Sequence, residues 1–396
     1  MTSTLKTLTD NILSAVSSLP KPEDLKDDER MRLLDALDKL RIALEPPTVS
    51  IQNLCFGAHT ITVVRVAQGM GIFDAFVAGQ GLEMTLSNLH ENTRGDELLL
   101  RRVVRLLCSS NVIEEVETDR FKPTPLAMMF ANGLPPGDAI KHFYAQMPVT
   151  ARLYQYFERT GYKNPEDAYN SPFQFGLNTN DHYFEWLKRN PEDQQAFNSV
   201  MTMGRTYRSE EWYKFYPVEQ RLQVKDTEVV LVDIGGGIGH DISEVKAQFP
   251  NLPGRMILQE LPHVIDSIQQ PLASGIETLK HDMFTEQPIK GAKAYYMRTV
   301  LHDWPNKQAL VALTRIREAM TRDSVLLLNE NALPLNNVPK YSAHLDFTMM
   351  EILGSLERTE RQWVDLITES GLKLIKIWKP STQTFGSNLL LEAALT

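Results

Sequence analysis

The sequence predicts an α/β protein in which a doubly wound parallel sheet follows a mainly helical region. Two observations predict the sheet: strand-like and helix-like apolar patterns alternate after residue 226, and a glycine-rich loop directly follows the first strand of that series. A third predicts the helical region, because apolar residues recur there at helical spacing. The chain has 396 residues, which is enough for two or three domains.

The N-terminal region begins with a predicted helix that Pro46 and Pro47 end. Apolar residues at helical spacing then continue, and a short strand pair surrounds an acidic turn. We predict helices over residues 24–44, 48–78 and 96–109, and strands at 112–116 and 120–122. In the helix over 96–109, the residues expected to face inward are Leu99, Val103, Leu106 and Leu107.

Helices followed by a β-hairpin form the pattern of a winged helix, a module that often binds DNA. Here the hairpin itself is acidic, with Glu114, Glu115, Glu117 and Asp119. The chain has 41 Lys and Arg residues against 50 Asp and Glu residues, a formal charge of −9, which is the wrong sign for neutralising phosphates. We therefore interpret this module as a dimerisation or scaffolding domain and expect no nucleic-acid partner.

Composition also bears on compartment and metal content. The two cysteines, Cys55 and Cys108, cannot supply a disulfide framework or a cysteine-based zinc site. No apolar run approaches the roughly 18 residues of a membrane span, and the N-terminus has no continuous apolar stretch typical of a signal peptide. The nine histidines show no ligand cluster. We expect a cytoplasmic protein without a membrane partner and without a metal.

The C-terminal region alternates strands and helices, as parallel sheets with right-handed crossovers do. We predict strands at 228–234, 255–259, 294–297 and 325–329, helices at 241–249 and 307–320, and an antiparallel closing hairpin at 373–378 and 388–394. The aromatic-rich helical stretch at 138–215 precedes them. Its aromatic residues are expected mainly in the core, with a wall for a flat substrate as the alternative.

The loop after the first strand reads DIGGGIG at residues 233–239, at the strand end where doubly wound sheets bind nucleotides. It lacks the G-x-G-x-x-G spacing that holds a pyrophosphate, and Asp233 would repel one. Glu260 ends the second strand, where a carboxylate can bind ribose hydroxyls. Asp282 and Met283 follow the expected position of the third strand of the sheet, between the predicted strands at 255–259 and 294–297, and suit an adenine ring. Adenosine with a cationic tail indicates S-adenosylmethionine.

His302 follows the next strand, in YYMRTVLHDWP at residues 295–305. Because the pKa of an unperturbed histidine is about 6.5, His302 is suited to remove a proton from a hydroxyl that attacks a methyl group. Glu330, at the end of the fifth strand, and Glu357 could flank its imidazole. The sequence thus predicts a general base with two orienting carboxylates.

At these residues the chain resembles the S-adenosylmethionine-dependent O-methyltransferases of the plant caffeate and flavonoid type and their fungal secondary-metabolism relatives. The resemblance runs from about residue 30 to the end. It is carried by LVDIGGGIGH, ILQELPHVI, HDMF, YYMRTVLHDWP, NENALP and GSLERTERQW. It implies a Rossmann-like class I methyltransferase domain at 223–396, a helical substrate-capping segment at 136–222, a winged-helix dimerisation domain at 1–135, and a homodimer.

The resemblance also assigns roles residue by residue. The catalytic positions fall on His302, Glu330 and Glu357. The cofactor positions fall on Asp233, Gly235, Gly237, Glu260, Asp282, Met283 and Arg298. Arg298 stands where plant members more often have Lys, and Glu260 replaces the commoner Asp. The segments that line the acceptor pocket in such enzymes contain Met147, Met201, Met349 and Met350.

The sequence favours methyl transfer to a phenolic or enolic hydroxyl of a small aromatic or polyketide-type metabolite. The main alternative is a relative that binds S-adenosylmethionine but catalyses dehydration or pericyclic ring formation, in which the sulfonium acts electrostatically. His142 lies where such enzymes can carry a substrate-binding histidine. A third possibility is a winged-helix regulator with a vestigial cofactor domain, which the complete set His302, Glu330 and Glu357 disfavours.

Overall fold

The computed structural model describes residues 3–20, 24–206, 210–381 and 388–396. It begins with helices α1 (Ser3–Ser17), α2 (Asp27–Leu44) and α3 (Pro47–Met70). Large apolar side chains on these helices are exposed, among them Ile42 at 67% and Leu54 at 83%. Only the C-terminal part of α3 is buried, where Val64 and Ala67 contact the following module. An apolar surface of this kind is typical of an interface.

The next module contains the predicted helices and hairpin. Its elements are α4 (Ile72–Ala78), β1 (Met84–Thr85), α5 (Leu86–Asn92), α6 (Glu97–Ser109), β2 (Ile113–Glu117) and β3 (Arg120–Pro123). The strands form an antiparallel sheet in the order β1-β3-β2. Strand β1 was not predicted, because two residues are too few to show an alternating pattern.

The inward face of α6 differs from the predicted one. Asp96 caps the helix by accepting a hydrogen bond from the Leu99 N–H at 2.9 Å, and this N-cap fixes where the helix starts. The buried residues are Leu100, Val103, Val104 and Leu107. Leu99 is 42% exposed and Leu106 is half-buried, so the prediction was wrong for Leu99 and partly wrong for Leu106.

Short helices connect this module to the C-terminal sheet. They are α7 (Pro125–Met129), α8 (Pro135–Ala145), α9 (Met147–Thr150), α10 (Leu153–Thr160), α11 (Pro172–Leu177), α12 (Tyr183–Arg189), α13 (Pro191–Thr206), α14 (Trp212–Phe215) and α15 (Val218–Arg221). Phe173 and Tyr183 are buried here in a cluster with Ile352 and Leu353. Phe173 and Tyr183 therefore contribute to the core, as expected, whereas Phe143 and Tyr154 are exposed.

The C-terminal region is a seven-stranded sheet in the order β6-β5-β4-β7-β8-β10-β9. Its elements are β4 (Val229–Ile234), α16 (His240–Gln248), β5 (Arg255–Glu260), α17 (Pro262–Asp266), β6 (Ile276–Lys280), β7 (Ala294–Arg298), a 3₁₀ turn (Leu301–Asp303), α18 (Asn306–Ala319), β8 (Val325–Glu330), α19 (Lys340–Thr348), a π-helix (Met349–Leu353), α20 (Glu360–Glu369), β9 (Leu372–Trp378) and β10 (Leu389–Leu395). Strands β4 to β8 are parallel. This confirms the doubly wound sheet.

The closing hairpin is also confirmed. Strand β10 pairs antiparallel with both β8 and β9, with Leu391 opposite Leu328 and Ile377. Residues 382–387 of the predicted connecting loop lie outside the described residues.

Helices cover both faces of the sheet, which is why its parallel strands are nearly continuous apolar runs. On one face, Val232 and Met297 pack against α18 and α20. On the other face, Val230 and Tyr296 pack against α16 and the segment around Trp212. With both faces covered, the crevice at the carboxyl ends of the strands is the remaining place for a ligand.

Within the described ranges, no single helix is long and apolar enough to cross a membrane, but α3 and α4, bent by 57°, pass that test as a pair. Both cysteines are free thiols; Cys55 is exposed and Cys108 half-buried. The same ranges contain no group of three or more His, Cys, Asp or Glu side chains that could hold a metal ion.

The fully buried Glu392 on β10 accepts hydrogen bonds from Arg221 at 2.6 Å and from the Trp378 indole at 2.9 Å. We predict that Glu392→Ala lowers the free energy of unfolding by about 3 kcal/mol, because both donors lose a buried acceptor. Urea unfolding measures this. Glu277→Ala is the matched control, since Glu277 forms an exposed pair with Arg255 in the same sheet. We expect a loss below about 1 kcal/mol there, and equal losses would contradict the prediction.

Candidate functional site

The polar side chains predicted for the site lie at the carboxyl ends of neighbouring parallel strands. Asp233 lies near the end of β4, Glu260 ends β5, Asp282 follows β6, Arg298 ends β7 and Glu330 ends β8. Since these strands are adjacent in the order β6-β5-β4-β7-β8, their ends form one crevice. The sheet therefore brings together residues from separate parts of the chain.

The loop after β4 begins with three consecutive glycines, which place no side chain of their own over its backbone. Gly235 and Gly237 have φ angles of +71° and +61°, the left-handed region that favours glycine. A Cβ atom at Gly235 would lie 2.9 Å from Val300, and one at Gly236 would overlap the carboxylate of Asp233. Asp233 is itself 1% exposed. The sequence DIGGG thus allows a ligand to approach the backbone closely, beside a buried acid.

Glu260 and Asp282 lie in adjacent loops. The two Glu260 carboxylate oxygens accept hydrogen bonds from the N–H groups of Gly237 at 3.1 Å and Leu261 at 2.7 Å. Burial raises the pKa of Glu260, while these two bonds lower it. The carbonyl oxygen of Glu260 accepts a hydrogen bond from the N–H of His281. Asp282, the next residue, is exposed. Carboxylates accept hydrogen bonds, so this pair suits the hydroxyl and amino groups of a nucleoside.

Met283 and Arg298 occupy different places at this edge. Met283 is half-buried and packs against the core cluster beneath the crevice. The Arg298 guanidinium donates to Glu211 at 2.8 Å and to Asp241 at 3.0 Å. Because Asp241 lies in the first turn of α16, Arg298 fixes the helix that follows the glycine loop.

His302 lies in the 3₁₀ turn after β7. Its Nδ1 is 2.7 Å from Glu357 Oε1, and its Nε2 is 3.3 Å from Asp303 Oδ1. Burial alone would lower the pKa of His302, but Asp303 and Glu357 outweigh it and raise the pKa to about 10. Burial raises the pKa of Asp303 to about 6. The site therefore stabilises a positive charge on the imidazole.

Glu330 forms its hydrogen bonds with the backbone of this turn, and its charge also helps to raise the pKa of the His302 imidazole that it was predicted to flank. Its Oε1 accepts hydrogen bonds from the N–H groups of Val300 at 3.2 Å and Leu301 at 3.0 Å. Burial raises the pKa of Glu330 to about 7. Glu330 thus positions the turn, and the second acid at the imidazole is Asp303.

Arg358 holds the other side of the turn. It is fully buried and donates to the carbonyl oxygens of Leu301 at 2.9 Å and Trp304 at 2.8 Å. Thr299, just before the turn, has a φ angle of +45°, which is strained for a β-branched residue. Strain of this kind concentrates at functional sites.

An aromatic stack supports the turn from outside. The ring of His182 stacks on Trp304 with centroids 4.5 Å apart, and Phe284 meets Trp304 edge-to-face at 4.6 Å. Sequence reasoning missed His182, because nothing in its local pattern, the N-cap of α12, links it to a turn far along the chain.

The residues predicted to bind an acceptor do not all meet. His142 lies buried on α8, with its Nε2 2.9 Å from the Gln146 amide, and burial lowers its pKa to about 4. It lines a small cavity whose other lining residues are Ala145, Gln146, Phe173, Leu177, Tyr183, Trp186 and Asp193.

The predicted methionines lie elsewhere. Met147 begins α9 and is half-buried, whereas Met201 is 49% exposed on α13, away from the cavity. Met349 and Met350 lie in the π-helix, and Met349 packs against the cluster that contains Phe173. The apolar pattern does not indicate this π-helix, a distortion that is frequent at functional sites.

Comparison with known proteins is consistent with this geometry. A family model for an O-methyltransferase domain matches residues 161–373. Methyltransferase cfoC of Aspergillus candidus is 35% identical over 382 residues, 93% of this chain and 92% of cfoC. Demethylsterigmatocystin 6-O-methyltransferase of Aspergillus flavus is 31% identical, over 82% of this chain and 83% of that protein. The solved structure of LepI in complex with SAM has a TM-score of 0.82 and 27% identity, covering 100% of this chain and 98% of LepI.

The charged environment of His302 predicts a pH-dependent contribution to stability. The folded-state pKa of His302, about 10, lies above the unfolded value of about 6.5, so its stabilisation is complete below about pH 6.5 and is lost as pH rises through about 10. We predict that the difference in unfolding free energy between wild type and His302→Gln narrows from pH 7 to pH 10. Urea unfolding measures it, with His90→Gln as the exposed control. A constant difference would contradict this assignment.

Proposed function

The chain belongs to the O-methyltransferase family, and we propose that it methylates a phenolic or enolic hydroxyl of a small aromatic or polyketide-type metabolite, with His302 as general base. It is an S-adenosylmethionine-dependent enzyme of secondary metabolism. The observation that carries the proposal is the position of His302, a titratable imidazole in the crevice that also contains Glu260 and the glycine loop.

The residues of the crevice fit the cofactor. We assign the ribose hydroxyls to Glu260, the adenine to Asp282 and Met283, and the backbone approach to Asp233, Gly235 and Gly237, with Arg298 holding the helix behind the loop. When bound, S-adenosylmethionine supplies an electrophilic methyl group on a sulfonium. A crevice lined by carboxylates suits such a cation better than it suits a pyrophosphate.

The proton chemistry rests on His302 and Glu357. Glu357 accepts a hydrogen bond from Nδ1, which fixes the ring. Nε2, which lies 3.3 Å from Asp303, is then the nitrogen proposed to take the proton of the acceptor. Glu330 and Arg358 keep the turn in place. A phenolic or enolic hydroxyl suits this base, because a phenol's pKa of about 10 is within reach of an imidazole.

The acceptor is proposed to contact the side of the site formed by α8, α9 and the π-helix. His142, Met147, Met349 and Met350 lie in these elements, and polarizable methionines suit flat rings. Met201 is left with a weaker role because it is exposed. Demethylsterigmatocystin is the named substrate of one relative, which supports an aromatic hydroxyl as acceptor.

The alternative function is a ring-forming or dehydrating reaction without methyl transfer. The buried His142 beside a cavity favours it. Methyl transfer is preferred because Glu357 accepts a hydrogen bond from Nδ1 of His302, the arrangement that orients a histidine base.

Isotope transfer tests the proposed function. We predict that cofactor labelled in its methyl group gives labelled product with phenolic acceptors, and that His302→Gln lowers kcat by at least about 100-fold with little change in cofactor Kd.

Gly236→Ala tests the glycine loop. We predict that it raises the cofactor Kd at least about tenfold, because the added Cβ would collide with the carboxylate of Asp233. Gly57→Ala, where a Cβ meets nothing, is the control. A cyclised, unlabelled product would establish the alternative.

The N-terminal region, 1–135, is proposed to form a homodimer in the cytoplasm. Helices α1, α2 and α3 expose apolar side chains on the single chain, including Leu13 at 60%, Leu34 at 50% and Phe56 at 58%. A second copy of the chain would cover this surface. Residues 136–222 would then cap the substrate, and 223–396 would bind the cofactor.

Dimerisation has its own test. We predict that Leu54→Glu weakens the dimer at least about tenfold, because the interface would bury an unpaired charge. Sedimentation velocity over a range of concentrations measures the dissociation constant. Leu335→Glu is the control, since Leu335 is 87% exposed outside these helices. A monomeric wild type would refute the dimer.

A further inference from the structure

Two buried amide side chains near the carboxyl end of β5 form a reciprocal hydrogen-bonded pair. Gln259, the last residue but one of β5, donates from Nε2 to Gln287 Oε1 at 2.7 Å. Gln287 donates in return from its own Nε2 to Gln259 Oε1 at 2.8 Å. Each residue is 1% exposed. Because a buried amide without a partner is costly, each side chain requires the other at hydrogen-bonding distance.

Gln287 lies in the connection between β6 and β7, which also carries Asp282 and Met283. Its Oε1 accepts a second hydrogen bond, from the N–H of Ile289 at 3.1 Å, so the same amide fixes the backbone as the connection approaches β7. The amide pair therefore attaches to β5 the segment whose Asp282 and Met283 are assigned to the adenine.

The backbone of Gln259 contacts the other half of the cofactor site. Its carbonyl oxygen accepts a hydrogen bond at 2.9 Å from the N–H of Gly235, the first glycine of the loop after β4. Glu260, the next residue, accepts from the N–H of Gly237 at 3.1 Å. Gln259 is thus bonded to the glycine loop through its backbone and to the segment of Asp282 through its side chain. One residue of β5 sets the separation between these two parts of the crevice.

We propose that Gln259 and Gln287 are positioning residues that determine how well the site recognises the amino group of adenine. This rests on the proposed function, in which Asp282 and Met283 bind the adenine. A carboxylate accepts the hydrogen bond that this amino group donates. A site that accepts such a bond discriminates against an analogue without the donor. Because a hydrogen bond weakens as its distance and angle depart from the optimum, the discrimination depends on where the amide pair holds Asp282.

Calorimetric titration with two ligands tests the proposal. The ligands are S-adenosylhomocysteine and its analogue with hydrogen in place of the 6-amino group, and the base preference is the Kd of the analogue divided by that of S-adenosylhomocysteine. We predict that Gln287→Met lowers this preference at least about fivefold, because Asp282 is no longer held for its hydrogen bond. An unchanged preference in Gln287→Met, or a wild type that binds both ligands equally, would overturn the proposal.

Ser324→Ala is the matched control for lost stability. Ser324 is 1% exposed and donates to the carbonyl oxygen of Ala292 at 2.6 Å, but it precedes β8, at the amino ends of the strands and away from the crevice. Its removal should lower the free energy of unfolding and leave the base preference at the wild-type value.

The double variant Gln259→Met/Gln287→Met separates positioning from stability, and it serves if the single variant misfolds. Methionine is close to glutamine in shape, and replacing both amides leaves neither unpaired, so urea unfolding should show a smaller loss than in Gln287→Met. The base preference should stay low, because the two positioning bonds are still absent. Recovery of the preference together with stability would reveal a structural role alone and overturn the proposal. These titrations need no acceptor, so absence of methyl transfer to every hydroxyl would refute the proposed function without altering the base preference.

Discussion

Two buried ionic side chains hold the turn that carries His302, and the geometry of the site depends on them. Glu330 accepts from the N–H groups on one side of the turn, and Arg358 donates to the carbonyl oxygens on the other. A short turn inside a protein cannot satisfy all its own backbone groups, and leaving them unpaired is costly. The two side chains supply the missing partners, so the turn between β7 and α18 can be buried.

The parallel sheet explains why the residues proposed to bind the cofactor lie close to the proposed histidine base. Parallel strands point their carboxyl ends to one edge, so Glu260, Asp282 and His302 meet there although they lie on separate crossover units. The helices on both faces keep that edge as the opening. In the proposed function, cofactor and acceptor would both be held by this one sheet, as a displacement between two bound reactants requires.

The sequence predicted positions along the chain well and side-chain directions poorly. The strand ends, the glycine loop, the hairpin and the placement of Glu357 at His302 followed from pattern, order and resemblance. Whether Glu330 reaches a ring or a backbone N–H depends on a few ångströms of tertiary packing that spacing does not encode. Tertiary packing likewise decides that Met201 is exposed and that α6 turns Leu99 outward instead of inward. Asp303 adjoins His302 in sequence, yet its contact with Nε2 depends on the 3₁₀ geometry of the turn.

At Thr299 the requirements of thermal stability and of catalysis conflict. Its left-handed backbone, at a φ angle of +45°, is disfavoured for a β-branched side chain, and the fold maintains it immediately before the turn. A search for more heat-resistant variants would find glycine or asparagine attractive at this position, since either relaxes the backbone. The relaxed chain would also be freer to redirect His302. Selection for thermal stability would therefore favour glycine or asparagine at position 299, whereas selection for turnover would favour threonine.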